Sequence, residues 1–316
     1  MLVWDNHSCM PLRPDTGFLP QLERYRRQRV DVVSLNVTFD LMSLASSFEV
    51  LSAMRRWVCS SRDYALVKTL DDIQKEKAKG RMSVIFDIEG LKGIGSQLDL
   101  LDTYHALGVR WASPVYNRHN QFGGGCLDTD DTGITPLGRD LVERMNELGL
   151  VICASHTSRR TSLDLIEASN QPVVFSHSNG ASVYPHPRNI DDEQIRACAA
   201  TGGVVGINGI GIFIGRNDTS IEGIVRHICH VADLVGVEHV GISLDYAFDQ
   251  KEVDDFFQNN RDLFPEEVFG STLEMIAPEV FGALPSALAA QGMTTPEISL
   301  VLGGNWERVA RTVWKV

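Results

Sequence analysis

The hydrophobic pattern of this chain is a repeating one. Short, near-continuous apolar and β-branched runs recur at Leu2–Asp5, Asp31–Val37, Ser83–Glu89, Val109–Val115, Leu150–Ser155, Pro172–His177, Gly203–Ile207 and His239–Asp245. Runs of this length without alternation are expected of strands covered on both faces, as in a parallel sheet. Between them lie stripes of helical period. Leu137–Leu148 follows Pro136 and stops at Gly149, Ser96–Leu107 stops at Gly108, Asp191–Thr201 opens with acids, and Ile221–Val235 ends at Gly236. Eight strand–helix alternations predict a (β/α)8 TIM-type barrel, an α/β fold in a single domain spanning residues 1–316. An open doubly wound sheet is the rival, but its GxGxxG fingerprint and the Walker A motif are absent. Two stretches fall outside the repeat. One is a Gly- and Asp-rich loop at Gln121–Asp131. The other is an acidic, Phe-rich segment at 247–284, expected to be a lid or interface insertion.

Where polar residues interrupt this pattern is informative. Catalytic groups of such barrels project from the C-terminal ends of the strands. Here strand 1 ends at His7, strand 3 at Glu89, strand 5 at His156, strand 6 at His177 and strand 8 at Asp245. A carboxylate and several imidazoles at one rim can hold Zn²⁺ or a related divalent ion. Other histidines read as packing or surface residues: His105 lies mid-helix, His239 opens strand 8, and His227 and His230 flank Cys229 on a helix. His119 and His186, on loops at the same rim, are candidate substrate contacts.

Charge and cysteine content narrow the partners. With 29 Lys+Arg against 41 Asp+Glu, the net charge of −12 argues against nucleic-acid or anionic-membrane surfaces. The cluster Arg24, Arg26, Arg27 and Arg29 reads as a solvated helix face. No run is apolar enough for a membrane span, and no leader pattern opens the chain. The six cysteines are scattered without a CxxC pair. They read as reduced thiols, so a cytoplasmic location is expected.

Several of these strand ends sit in motifs that resemble the renal (membrane) dipeptidase family, among the amidohydrolase-like barrels. The motifs are FDIEG at Phe86–Gly90, ASHTS at Ala154–Ser158, VVFSHSNG at Val173–Gly180, HPRNIDDEQI at His186–Ile195, VGISLDY at Val240–Tyr246 and GGNWERVARTVW at Gly303–Trp314. The resemblance covers nearly the whole length. It implies a binuclear zinc hydrolase acting on a dipeptide or N-acyl amino acid, in which Glu89 bridges two metals and His156 and His177 hold the second. It further implies that Asp245 faces the first metal and handles the proton of the attacking water, and that Arg188 grips the substrate carboxylate. A homodimer is implied as well.

The chain departs from the family pattern twice. The family's first strand ends in His-x-Asp, both on the first metal, whereas here Cys9 stands two residues after His7. A thiolate is a good zinc ligand, so His7, Cys9, Glu89, His156, His177 and Asp245 are the expected metal ligands, for one or two ions. After strand 4, Tyr116 stands where members nearest the renal enzyme carry a His. Either Tyr116 or His119 is expected to stabilise the oxyanion. Cys9 keeps open a single-metal hydrolase of another small amide or a lactone, a non-catalytic metabolite-binding barrel, and a cysteine nucleophile paired with His7. The last accounts for the surrounding ligand-type residues less well than metal binding does.

Overall fold

The computed structural model describes residues 1–315. Ten strands are present: β1 Trp4–Cys9, β2 Val32–Phe39, β3 Tyr64–Leu66, β4 Met82–Glu89, β5 Val109–Ser113, β6 Val151–Cys153, β7 Val173–Val174, β8 Val205–Ile207, β9 Val240–Ile242 and β10 Tyr246–Ala247. All strand pairing is parallel, running β1–β2–β4–β5–β6–β7. A parallel bridge between Phe175 and Val205 joins β7 to β8, and β8 pairs with β9. Beyond β9 the Asp245 N–H donates to the His7 carbonyl at 3.0 Å, and β10 pairs with β1. The sheet is therefore a closed barrel of eight staves, the last being the β9–β10 run. The β3 strand is an extra: it pairs with the first half of β4, along the edge that β5 takes from Phe86 onward.

The staves are buried through most of their length, as their apolar runs require. Trp4, Ile85, Trp111 and Val174 belong to a cluster toward the strand starts that also contains Trp306 of the C-terminal helix Asn305–Val313. The Trp306 indole N–H donates to the Ile242 carbonyl at 3.1 Å. Gly206 and Gly241 are needed here, because a Cβ on either would stand within 3 Å of that indole. The ending GGNWERVARTVW thus closes the bottom of the barrel.

Local signals set the helices. Pro136–Leu148 starts with a Thr135 side-chain cap and ends at Gly149 in the left-handed conformation (φ 73°). Asp192–Ala200 carries a capping box from Asp191 and Gln194. Ile221–Val235 has the expected bounds, whereas the helix expected over Ser96–Leu107 begins only at Leu100. The first strand also differs from expectation. It runs through His7 to Cys9, because its polar residues face a cavity that tolerates them. The segment after the last stave holds helices Gln250–Asn259 and Glu266–Phe269 and a 3₁₀ turn at Pro278–Gly282. Its Phe264, Phe269 and Leu273 are buried with Ile210 and Phe213 in an apolar cluster of their own, which covers the mouth of the barrel. No helix among the described residues is long and apolar enough to cross a membrane.

Candidate metal centre

The C-terminal ends of the staves converge on one carboxylate. Glu89, at the end of β4, places Oε1 2.8 Å from His156 Nε2, 3.0 Å from His177 Nε2 and 3.3 Å from His7 Nε2. Alternate residues of a strand share a face, so β1 presents both His7 and Cys9 to the same space. The Cys9 Sγ lies 3.5 Å from His7 Nε2 and 3.6 Å from Asp245 Oδ1, and Asp245 Oδ1 is 3.3 Å from His7 Nε2. Three overlapping groups could each hold an ion: His7, Cys9 and Glu89; His7, His177 and Asp245; Glu89, His156 and His177. All six residues expected to be ligands are thus brought together.

The backbone is bent to achieve this. Asn117, His156 and Asp245 have φ of 58°, 70° and 55°, a region that costs a side chain with a Cβ about 1–3 kcal/mol. Asn117 and His156 sit past the ends of β5 and β6 and Asp245 in the break between β9 and β10, where the turn re-aims the side chain inward. Packing secures the turns: Asp245 Oδ2 accepts from Asn208 Nδ2 at 2.8 Å, and His156 Nδ1 donates to Asn117 Oδ1 at 2.8 Å.

Two of the imidazoles approach each other closely beside Glu89. His156 Nε2 and His177 Nε2 are 2.7 Å apart, while their Nδ1 atoms are engaged by Asn117 and by Ser176 Oγ. Burial, together with the Arg188 charge, pushes the His156 pKa down to about 3, and burial lowers that of His177 too. Two rings kept neutral by burial therefore crowd their Nε2 atoms around one carboxylate, a donor set that suits a metal site. Burial works against ionising Glu89, yet His7 and His156 hold its pKa well below the usual carboxylate range. Asp245 is likewise lowered, against its burial, by His177 and His7. The Cys9 thiol is pushed far up by burial, so a nearby cation would be needed to make it a thiolate. The residues present fit a divalent metal.

Above this floor lies a cavity of about 320 Å³. Tyr116 lines it and stacks on His156 with centroids 4.3 Å apart. Arg188 lines it too. It is only 3% exposed, its NH2 lies 3.2 Å from His156 Nε2, and its guanidinium sits 5.4 Å over the Phe213 ring. His119 is not brought to the group: its side chain is 82% exposed and faces Asp128 at 3.6 Å. His186 is a packing residue, bonded to the Val268 carbonyl, tilted against Phe213 and edge-on to Phe269. The buried His227 bonds the Gly180 N–H and the Ile214 carbonyl.

Sequence reasoning passed over Asp87, Asn117 and Asn208. Asp87 Oδ1 stands 3.2 Å from His7 Nδ1, and Asp87 is itself held by Ser34 and Asn36. A carboxylate so placed behind a candidate ligand attracts the imidazole and helps restrain its orientation. The signal was available, since Asp87 and Glu89 are alternate residues of an otherwise apolar strand.

A family model described as membrane dipeptidase (peptidase family M19) matches residues 23–262. The chain belongs to that family. An uncharacterized dipeptidase of Schizosaccharomyces pombe is 28% identical over 89% of this chain and 65% of its own length. An uncharacterized Klebsiella pneumoniae protein encoded in the pqqA 5′ region is 32% identical over 77% of this chain and 87% of its own. This chain spans between 50% and 65% of the first three curated relatives it matches. Among solved structures, an amidohydrolase from Pseudomonas aeruginosa superposes with a TM-score of 0.88 at 25% identity, covering 99% of this chain and 96% of its own. A Rhodobacter sphaeroides metallopeptidase bound to a phosphinate mimic of L-Ala-D-Ala superposes at 0.81 and 22% identity, covering 99% of both chains. The M19 membership and the barrel agree with the family and fold expected from the motifs.

Proposed function

We propose that this M19 chain is a zinc-dependent hydrolase of small amides bearing a free carboxylate, a dipeptide or an N-acyl amino acid. The observation that carries this is Arg188. A guanidinium 3% exposed, with no carboxylate partner among the described residues, is costly to bury unless a ligand supplies the anion. It lies beside the metal-type donors, so an anchored carboxylate would place a neighbouring amide over them. The dipeptide mimic held by the Rhodobacter relative supports the same substrate class.

Glu89, His156 and His177 would hold one zinc, and His7, Cys9, Asp245 and the same Glu89 another. Zinc bound there would act as a Lewis acid, acidifying water and polarising the scissile carbonyl. Asp245, ionised and fixed by Asn208, takes the proton of the attacking water and returns it to the leaving amine. Burial pushes the Tyr116 hydroxyl well above its usual pKa, so it stays protonated and can donate to the oxyanion. Arg188 grips the carboxylate through paired N–H groups. The six free cysteines support a reducing, cytoplasmic setting.

Arg188→Ala tests the reading. It should raise KM for substrates with a free carboxylate by about 30-fold or more, the loss typical of truncating a buried charged partner, and leave their C-terminal amides little changed. Equal losses on both would refute the role. A second reading, a one-metal hydrolase of another small amide or a lactone, rests on Cys9, whose thiol is hard to ionise where it lies.

A further inference from the structure

The cavity above the metal centre is apolar over most of its lining, beside Arg188 (Ile210, Phe213, Phe269, Leu273) as well as across from it. Arg188 comes after β7, the sixth stave. Directly across an eight-stave barrel is the second stave, β2, which ends at Phe39. That far wall is built from Met10, Leu12, Phe39, Val253 and Phe256, all lining the cavity. Phe39 packs edge-on against both Tyr116, at 5.4 Å, and Phe256, at 5.6 Å. An apolar surface thus runs unbroken from the ring stacked on His156 to the helix Gln250–Asn259. Two carboxylates, Asp249 and Glu252, also line the cavity, but Arg13 occupies both, at 3.2 and 2.6 Å.

From this we propose that the far wall is an acyl-side pocket selecting a large apolar group. The inference rests on the amide-hydrolase reading. With the substrate carboxylate at Arg188 and the scissile carbonyl over Glu89 and His156, the acyl half of the molecule must cross the barrel mouth. There it meets methionine, leucine, valine and phenylalanine side chains. A charged side chain on the acyl half would lose its hydration against this wall, and a cationic one would compete with Arg13 for Asp249 and Glu252. A leucine- or phenylalanine-sized group would bury its surface instead. The preferred substrate is therefore a dipeptide with a bulky apolar first residue, or its N-acyl counterpart.

The test is a panel of dipeptides sharing a C-terminal alanine, with Phe, Leu, Gly, Asp or Lys in first position, assayed with the zinc-loaded enzyme. Expected is a kcat/KM at least about 30-fold higher for Phe and Leu than for Asp and Lys, in the range of hydrophobic-pocket discrimination. Phe256→Ala should compress the Phe-to-Gly ratio at least several-fold. The wild-type panel does not depend on how that variant folds. If Asp-Ala or Lys-Ala is cleaved as well as Leu-Ala, the pocket assignment is wrong while the hydrolase reading stands. If no member of the panel, nor an N-acyl alanine, is cleaved, the hydrolase reading falls instead.

Discussion

Cys9 is the residue that most separates this chain from the pattern it resembles. It stands among the candidate ligands, 3.5 Å from His7 Nε2, but as a thiol whose ionisation burial opposes. Cys9→Asp should therefore raise metal content measured on purified protein, toward two equivalents per chain. An unchanged stoichiometry would mean that Cys9 already serves as a full ligand, or that the site is limited by something else. Asp40 makes a different kind of prediction. Its carboxylate accepts from the Lys92 and Tyr116 N–H groups and from Asn120 Nδ2, fixing the loop that carries Tyr116. Burial pushes its pKa from 3.8 to about 6. The folded state therefore binds this proton more tightly than the unfolded chain does, and the stabilisation it brings is full below about pH 4 and lost as pH rises through 6. The loss is up to about 3 kcal/mol. Asp40→Asn should be the less stable protein at low pH, having lost an acceptor, and its deficit against wild type should shrink between pH 4 and 7 in chemical denaturation. A constant deficit would contradict this. At this scale the ligand types were legible because imidazoles and carboxylates stand out at the ends of apolar runs. Asn117 and Asn208 were not, since an amide that holds a ligand resembles any loop asparagine. His119 was misleading: its place on the rim is visible in sequence, but the turn that points it to solvent is not.

Among the elements, the long staves and capped helices could be read from the chain because periodicity and capping are local. β4 and the helix Ile221–Val235 needed little correction. β3 and β10 are two or three residues long and exist only because a neighbouring stave offers an edge, which no local pattern records. The segment after the last stave stood out in the sequence as a stretch outside the repeat, but its contact with the N-terminal loop did not. That contact is Arg13, which bonds Glu252 on the covering helix Gln250–Asn259 and Asp249, which caps it. These are partly exposed ion pairs, so Arg13→Ala should cost global stability no more than about 1 kcal/mol. Locally the effect should be larger: faster amide exchange across 250–260 and a raised KM. If exchange there is unaltered, the ion pairs do not restrain the helix.

The molecule as a whole is closed at one seam, where β10 lies on β1 and the Asp245 N–H reaches the His7 carbonyl. The donors on either side of that seam, Cys9 and Asp245, are 236 residues apart in sequence. A ligand that binds the folded state alone stabilises it by mass action. Chelation should therefore lower Tm by several degrees, and zinc should restore it. The lost protection in hydrogen exchange should be concentrated in residues 4–9 and 240–247 rather than spread around the ring. A uniform loss would show that the ion does not act at the join. If the loss is instead concentrated there, the cation acts as the buckle of a belt, fastening the first stave to the last at the spot where the proposed chemistry takes place. A chain released too early, or starved of metal, would hold its middle staves together and part at the buckle.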